Sequence, residues 1–284
     1  MTQPTLNAWL TTARQALATG SDAPALDARR LAEHVLNLST TRLIVDGPRM
    51  LDASEVAALD AALKRRCDGE PLALIVGHAG FGELELTVDR HVLIPRPETE
   101  LLVELTLAAL DEPAPTSRRV VDLGTGSGAI ALSLAHARPS WSIVATDQSA
   151  RAIARARHNA STLGLDRVAF RQGDWFAALE GEAPFDALVS NPPYIAPGDP
   201  HLAALAHEPQ AALVAADDGL ADLRQLCAGA PVRLRPGGWL LVEHGFDQGS
   251  AVRRLMAQAD LQDIDTQRDL AGHERVTRGR RSRS

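Results

Sequence analysis

Val120-Val121-Asp122-Leu123-Gly124-Thr125-Gly126-Ser127-Gly128 is the stretch that decides the fold of this chain. An apolar strand runs into a glycine-rich turn, and Ala129 to Ala137 then reads as a helix. Glycines at such a turn allow a tight bend and close approach of backbone to a ligand. The N-terminus of the helix favours a negative group. Gly124, Gly126 and Ala129 also satisfy the dinucleotide pattern G-x-G-x-x-A, so the loop alone leaves its ligand open.

Outward from this unit the alternation continues. Ser142 to Thr146 predicts a strand, Ala150 to Leu163 a helix, and Val168 to Phe170 and Phe185 to Ser190 further strands. Leu220 to Leu234 predicts a helix ended by Pro236-Gly237-Gly238, and Trp239 to Glu243 a strand. The expected fold class is α/β, a doubly wound and mostly parallel sheet with helices on both faces.

In open α/β sheets, ligands sit at the carboxyl ends of the strands. Asp147 ends the second predicted strand, where an acid can accept hydrogen bonds from both hydroxyls of a ribose. Trp175 follows the third, with a ring able to cover adenine. These residues suit a nucleoside cofactor, either NAD or S-adenosylmethionine. Asn191-Pro192-Pro193-Tyr194 ends the fourth strand. Neither proline has an N–H, so the ladder stops there rigidly. The corner can grip a planar amide-like group: Asn191 and a backbone carbonyl accept its N–H bonds, and Tyr194 covers its face. A hydride transferase usually needs an acid or base at its carbonyl. The strand ends offer none, although His201 and His207 come soon after. Methyl transfer needs mainly a nucleophile held in line.

Residues 1–75 read as an all-helical bundle. Leu6, Trp9, Leu10, Ala13 and Leu17 recur at helical steps, as do Ala28, Leu31, Ala32, Val35 and Leu36. A third helix is expected from an N-cap at Ser54. The bundle shows no catalytic constellation; a stabilising cap and a partner-recognition module are both open. Residues 76–94 predict a β-hairpin linker, with Phe81 to Val88 alternating apolar and polar. Residues 95–284 form the expected α/β domain.

Hydrophobic residues make up 45% of the 284, enough for a packed core. No apolar stretch approaches a membrane span, and Met1-Thr2-Gln3-Pro4 carries no secretory signal. Cys67 and Cys227 have no metal or redox spacing, so a reduced, cytoplasmic protein without a metal is expected. The net charge of −7 disfavours stable binding to nucleic acid. Arg275 to Ser284 holds five arginines and no acid, and is expected to be a solvated end.

These motifs resemble the class I S-adenosylmethionine-dependent methyltransferases. More closely, the chain resembles the release factor glutamine N5-methyltransferases, the HemK/PrmC family. The likeness rests on the helical N-terminal region, the hairpin, Ile94-Pro95-Arg96-Pro97-Glu98-Thr99-Glu100, Asp122 to Gly128, Asp147, Asn191 to Tyr194 and Gly272-His273-Glu274-Arg275-Val276. It implies a seven-stranded Rossmann-like sheet and S-adenosylmethionine as cofactor. It implies that Gly124, Thr125, Gly126, Ser127 and Gly128 carry the methionine part, that Asp147 holds the ribose and that Trp175 lies by the adenine. Glu98 and Thr99 would line the cofactor pocket. Asn191 would contact both cofactor and substrate, with Asn191, Pro192, Pro193 and Tyr194 binding a glutamine side chain and Asn191, Pro192 and Tyr194 serving the chemistry. The implied reaction methylates the glutamine of the Gly-Gly-Gln motif in class-1 peptide chain release factors. The alternative is an adenine-N6 or guanine-N2 nucleic-acid methyltransferase, which shares the Asn191 corner.

Overall fold

The computed structural model describes residues 3–111 and 117–283. Met1 and Thr2, part of the segment on which the expectation of no secretory signal rests, and Ser284, at the end of the basic run, lie outside the described residues. The chain divides into two units, Met1–His78 and Ala79–Ser284.

The first unit is helical: α1 (Leu6–Leu17), α2 (Pro24–Leu36), α3 (Thr40–Val45), α4 (Ala53–Cys67) and α5 (Leu72–Val76). Its core holds Leu6, Trp9, Leu31, Leu51 and Leu59. The Trp9 indole N–H also donates to Asp60 at 2.8 Å, so the ring buries its body without orphaning its donor. The expected cap at Ser54 falls two residues too late. Asp52 is the N-cap of α4: its carboxylate accepts from Ser54 and Glu55, and Glu55 reaches back to the Asp52 N–H. That reciprocal box satisfies more helix-end donors than Ser54 could.

The second unit begins with a hairpin, β1 (His78–Phe81) and β2 (Leu84–Thr87), whose first residue closes the first unit. There follow α6 (Glu100–Leu110), β3 (Arg119–Leu123), α7 (Ala129–Ala137), β4 (Ser142–Asp147), α8 (Ala150–Thr162), β5 (Ala169–Gln172) and β6 (Phe185–Ser190). A short turn α9 (Ala216–Gly219) leads to α10 (Ala221–Arg233), β7 (Leu234–Glu243), α11 (Gly249–Gln258), β8 (Leu261–Arg268) and β9 (Glu274–Arg281). The seven-stranded sheet runs β5-β4-β3-β6-β7-β9-β8. The first five of these strands are mutually parallel, and β9 is antiparallel to both β7 and β8. Apolar side chains fill both faces. Val120, Ala131, Leu132 and Ile143 belong to one layer; Val121, Leu188, Leu226 and Leu240 belong to the other.

Two expectations are overturned here. The strand at Trp239 starts earlier, at Leu234, and a register shift against β6 accommodates Arg235 to Gly238. The basic run from Arg275 is not a solvated end. Through Arg281 it is β9, an inner strand with Val276 and Thr277 fully buried. Its charges are compensated: Arg278 pairs with Asp265 at 2.6 Å, and the Arg278 and Arg280 guanidinium groups lie over the Trp239 ring.

Candidate active site

Strands β3 and β6 are neighbours, so the glycine loop and the Asn191 corner leave the same edge of the sheet side by side. Ser190, the last residue of β6, ties them together: its hydroxyl donates to the Leu123 carbonyl at 2.7 Å. A cavity of about 330 Å³ opens at this edge. Gly124, Thr125, Gly126, Ser127, Asp147, Trp175, Asn191 and Pro193 all line it. Gly128 does not. It starts α7 at φ +90, and a Cβ there would stand 2.9 Å from Leu132 Cδ1, so it serves the turn and the packing of the helix. Thr99 lines the cavity, whereas Glu98 is exposed and does not.

The loop's own hydrogen bonds narrow the ligand. Gly124 and Thr125 donate to the Thr146 carbonyl, Gly128 donates to Thr125, and Gly126 donates to Asp147 Oδ2 at 3.0 Å. These amides are spent inside the protein, so they form no cradle for a pyrophosphate. Acids lie under the loop instead. Asp122 is fully buried, and its Oδ2 accepts from the Thr125 hydroxyl at 2.6 Å. Its Oδ1 has no partner among the described residues. Burial pushes the Asp122 carboxyl up to about 7. Burial also raises Asp147, against the pull of the Ser149 and Gly126 N–H groups. Two acids beneath a loop with few free amides suit a cationic sulfonium ligand better than a diphosphate.

Trp175 packs its ring against the glycine loop. It is held at φ +40, a region that non-glycine residues seldom adopt, and its indole N–H donates to Asp222 at 3.2 Å. A Cβ on Gly124 would meet this ring at 3.4 Å, so the glycine leaves the ring its place over the loop.

The Asn191 corner borders a second, smaller cavity of about 140 Å³, lined by Asn191, Pro192 and Tyr194. Leu93, Arg96, Asn191 and Ala212 line both cavities. Asn191 therefore stands where the two share a wall. Its side-chain N–H donates to the Thr99 hydroxyl oxygen at 3.1 Å. No donor among the described residues bonds its Oδ1 or the Pro192 carbonyl. Two acceptors are thus open at one corner. Tyr194 is fixed at both ends: its hydroxyl donates to Glu243 at 3.3 Å, and its carbonyl accepts from Gln248. Desolvation and the neighbouring carboxylate raise the phenol well above its ordinary range, so it stays neutral.

His201 and His207 are exposed and line neither cavity. His91 does line the larger one, and Arg151 donates to its ring at 2.6 Å. Arg96 pairs with buried Glu208, which also accepts from the Ile94 N–H and so pins the segment before α6. His91, Arg96 and Glu243 were not singled out from sequence. Glu243 had one usable signal, an acid closing a buried strand.

This sheet order and edge cavity define the methyltransferase class of fold. The family model "Methyltransferase small domain" matches residues 98–219, and "PrmC N-terminal domain" matches residues 8–77. The hMettl16 catalytic domain, in complex with an MAT2A 3′UTR hairpin, superposes with a TM-score of 0.57 at 16% identity, over 84% of this chain and 85% of that one. At that identity the likeness speaks for the fold alone. The release factor glutamine methyltransferase of Xylella fastidiosa (strain Temecula1) is 49% identical, over 90% of this chain and 92% of its own. That of Vibrio cholerae is 47% identical, over 92% and 91%. The chain belongs to the release factor glutamine methyltransferase family.

Proposed function

We propose that this protein methylates the side-chain amide nitrogen (N5) of the glutamine in the Gly-Gly-Gln motif of class-1 peptide chain release factors, with S-adenosylmethionine as methyl donor. The observation that carries this reading is a pair of open acceptors at one corner: Asn191 Oδ1, on a residue that lines both cavities, and the carbonyl of Pro192, which lines the smaller one. When bound, S-adenosylmethionine supplies an electrophilic methyl group: its C–S bond breaks, a C–N bond forms, and the amide releases one proton to water. Gly124 to Ser127, Asp147 and Trp175 are the residues suited to hold it.

A primary amide is a poor nucleophile because its lone pair is delocalised. It also has two N–H bonds, and the corner presents two acceptors. Accepting both aims the nitrogen and stabilises the positive charge that grows on it, as preorganised dipoles do. Tyr194 covers the amide face from the smaller cavity. The N-terminal helical unit is the module proposed to recognise the release factor, and the substrate places the work in the cytoplasm.

Incubation with labelled S-adenosylmethionine, purified release factors and bulk RNA and DNA tests the reading. Label is expected in the release factors. Label in nucleic acid, with none in the release factors, overturns it in favour of the base-methylating alternative.

A further inference from the structure

We propose that Arg96 is a substrate-binding residue: it donates a hydrogen bond to the side-chain carbonyl of the acceptor glutamine, and Glu208 cancels its charge so that the corner takes a neutral amide and rejects a carboxylate. The inference rests on the reading of the corner as the seat of a glutamine amide.

A primary amide carries two N–H donors and one carbonyl acceptor. The corner meets the donors with Asn191 Oδ1 and the Pro192 carbonyl. The carbonyl needs a donor, because an amide oxygen taken out of water without one weakens binding. Three side chains that line the smaller cavity carry donors: Arg96, Asn191 and Tyr194. Asn191 donates to Thr99 at 3.1 Å, and Tyr194 donates to Glu243 at 3.3 Å. Arg96 has donors to spare. Its Nη2 donates to Glu208, and no acceptor among the described residues bonds its Nε or Nη1. A guanidinium holds five N–H donors in a fixed fork, so one edge can bind Glu208 while another faces a ligand. Arg96 lines both cavities, as Asn191 does, and its side chain is 33% exposed.

Glu208 fixes where that fork stands. Leu93 and Arg96 come from the segment before α6, and Leu205, Ala212 and Leu213 from the stretch between β6 and α9; all five line the smaller cavity. Glu208 joins the two segments. Its Oε1 accepts from Arg96, and its Oε2 accepts from the Ile94 N–H at 3.0 Å. The Glu208 side chain is only 2% exposed and lines neither cavity, so it acts on a ligand through Arg96.

The pairing decides which ligand fits. A lone guanidinium draws a carboxylate into a bidentate pair. It would also repel a sulfonium and the positive charge that grows on the attacked nitrogen. Paired with Glu208, Arg96 carries no net charge and still donates. No other charged side chain among the described residues lines the smaller cavity. A glutamate in place of the glutamine would bring no N–H to the two acceptors and would find no net cation. The site therefore separates two side chains that differ only in NH₂ against O⁻.

The test uses the full chain, a purified class-1 release factor, and the same factor with its motif changed to Gly-Gly-Glu as a competitive inhibitor. Initial rates are compared for wild type, Arg96→Met, Arg96→Lys and Glu208→Gln. Arg96→Met should raise KM for the release factor about tenfold and change KM for S-adenosylmethionine less than about twofold. Arg96→Lys keeps the ion pair but commits its compact ammonium to Glu208, so the same rise in KM is expected. Glu208→Gln leaves the Arg96 charge uncompensated, and the Gly-Gly-Glu factor should inhibit it about tenfold more strongly than wild type. Should Arg96→Met fold poorly with Glu208 left unpaired, Arg96→Lys and Glu208→Gln carry the test, since neither strands a buried charge. An unchanged KM in the Arg96 variants, full rescue by lysine, or equal inhibition of Glu208→Gln and wild type overturns the inference. If wild type still methylates the release factor, those results leave the proposed function standing. No transfer by wild type to any release factor overturns both.

Discussion

At the scale of single residues, Asn191 is held by one hydrogen bond and left free at the other end of its amide. That asymmetry is what lets a short side chain serve as an acceptor at a cavity wall. Asn191→Ala removes one preorganised polar group at the reacting atom. Turnover is expected to fall about 10²-fold or more, while cofactor affinity changes far less. Rapid-quench turnover, alongside calorimetric titration of the cofactor, measures both. Equal losses in affinity and turnover would point to a collapsed site instead. Tyr194 is different in kind. Its hydroxyl is tied to Glu243, so Tyr194→Phe probes the tether and leaves the ring in place.

At the scale of elements, the hairpin and the glycine loop are joined by Asn159 of α8. Its side chain accepts from the Thr87 N–H at 2.9 Å and donates to the Thr87 and Ser127 carbonyls. Asn159→Ala leaves three backbone groups without this partner, two part-buried at Thr87 and one buried at Ser127, and should destabilise the protein by about 2–3 kcal/mol. Chemical denaturation reads this directly, and an unchanged midpoint would contradict it. Strand β9 gives a second prediction. Deleting residues 275–284 removes the partner of both β7 and β8, and cooperative unfolding should be lost. If that region were only a solvated end, the truncated chain would melt like the full one.

The same elements show what could be read in the chain. Buried parallel strands are short apolar runs, so β3, β4 and β6 were legible, and the strand-end rule placed Gly124, Asp147 and Asn191 on one edge. Strand β9 was not. Arg278 and Arg280 lie over Trp239 and Arg278 pairs with Asp265, contacts between residues distant in sequence, and composition alone reads them as solvated charge. The short helices α3 and α5 fell below any periodicity that a few residues can display. Glu243 was hidden for a related reason: a lone acid at the end of an apolar strand gives no hint that the Tyr194 hydroxyl bonds to it.

At the scale of the whole molecule, buried carboxyls set the pH dependence of stability. Asp122 is raised to about 7 by burial, far above an exposed carboxylate. The folded chain thus keeps a proton that the unfolded chain releases. The contribution is fully present below about pH 4 and is lost as pH rises through about 7. Cofactor-free protein should resist urea better at about pH 5.5 than at about pH 8, and Asp122→Asn should shrink that difference. A gap of the same size in the variant would contradict the assignment.

The central claim concerns where the methyl group goes. The most direct measurement is mass spectrometry of a release factor incubated with this protein and S-adenosylmethionine. The account predicts that the peptide containing Gly-Gly-Gln becomes heavier by one methyl group, that fragment ions place it on the glutamine side chain, and that Asn191→Ala slows the change about 10²-fold or more. A methyl group on any other residue, or an unmodified glutamine beside methylated nucleic acid, would contradict it.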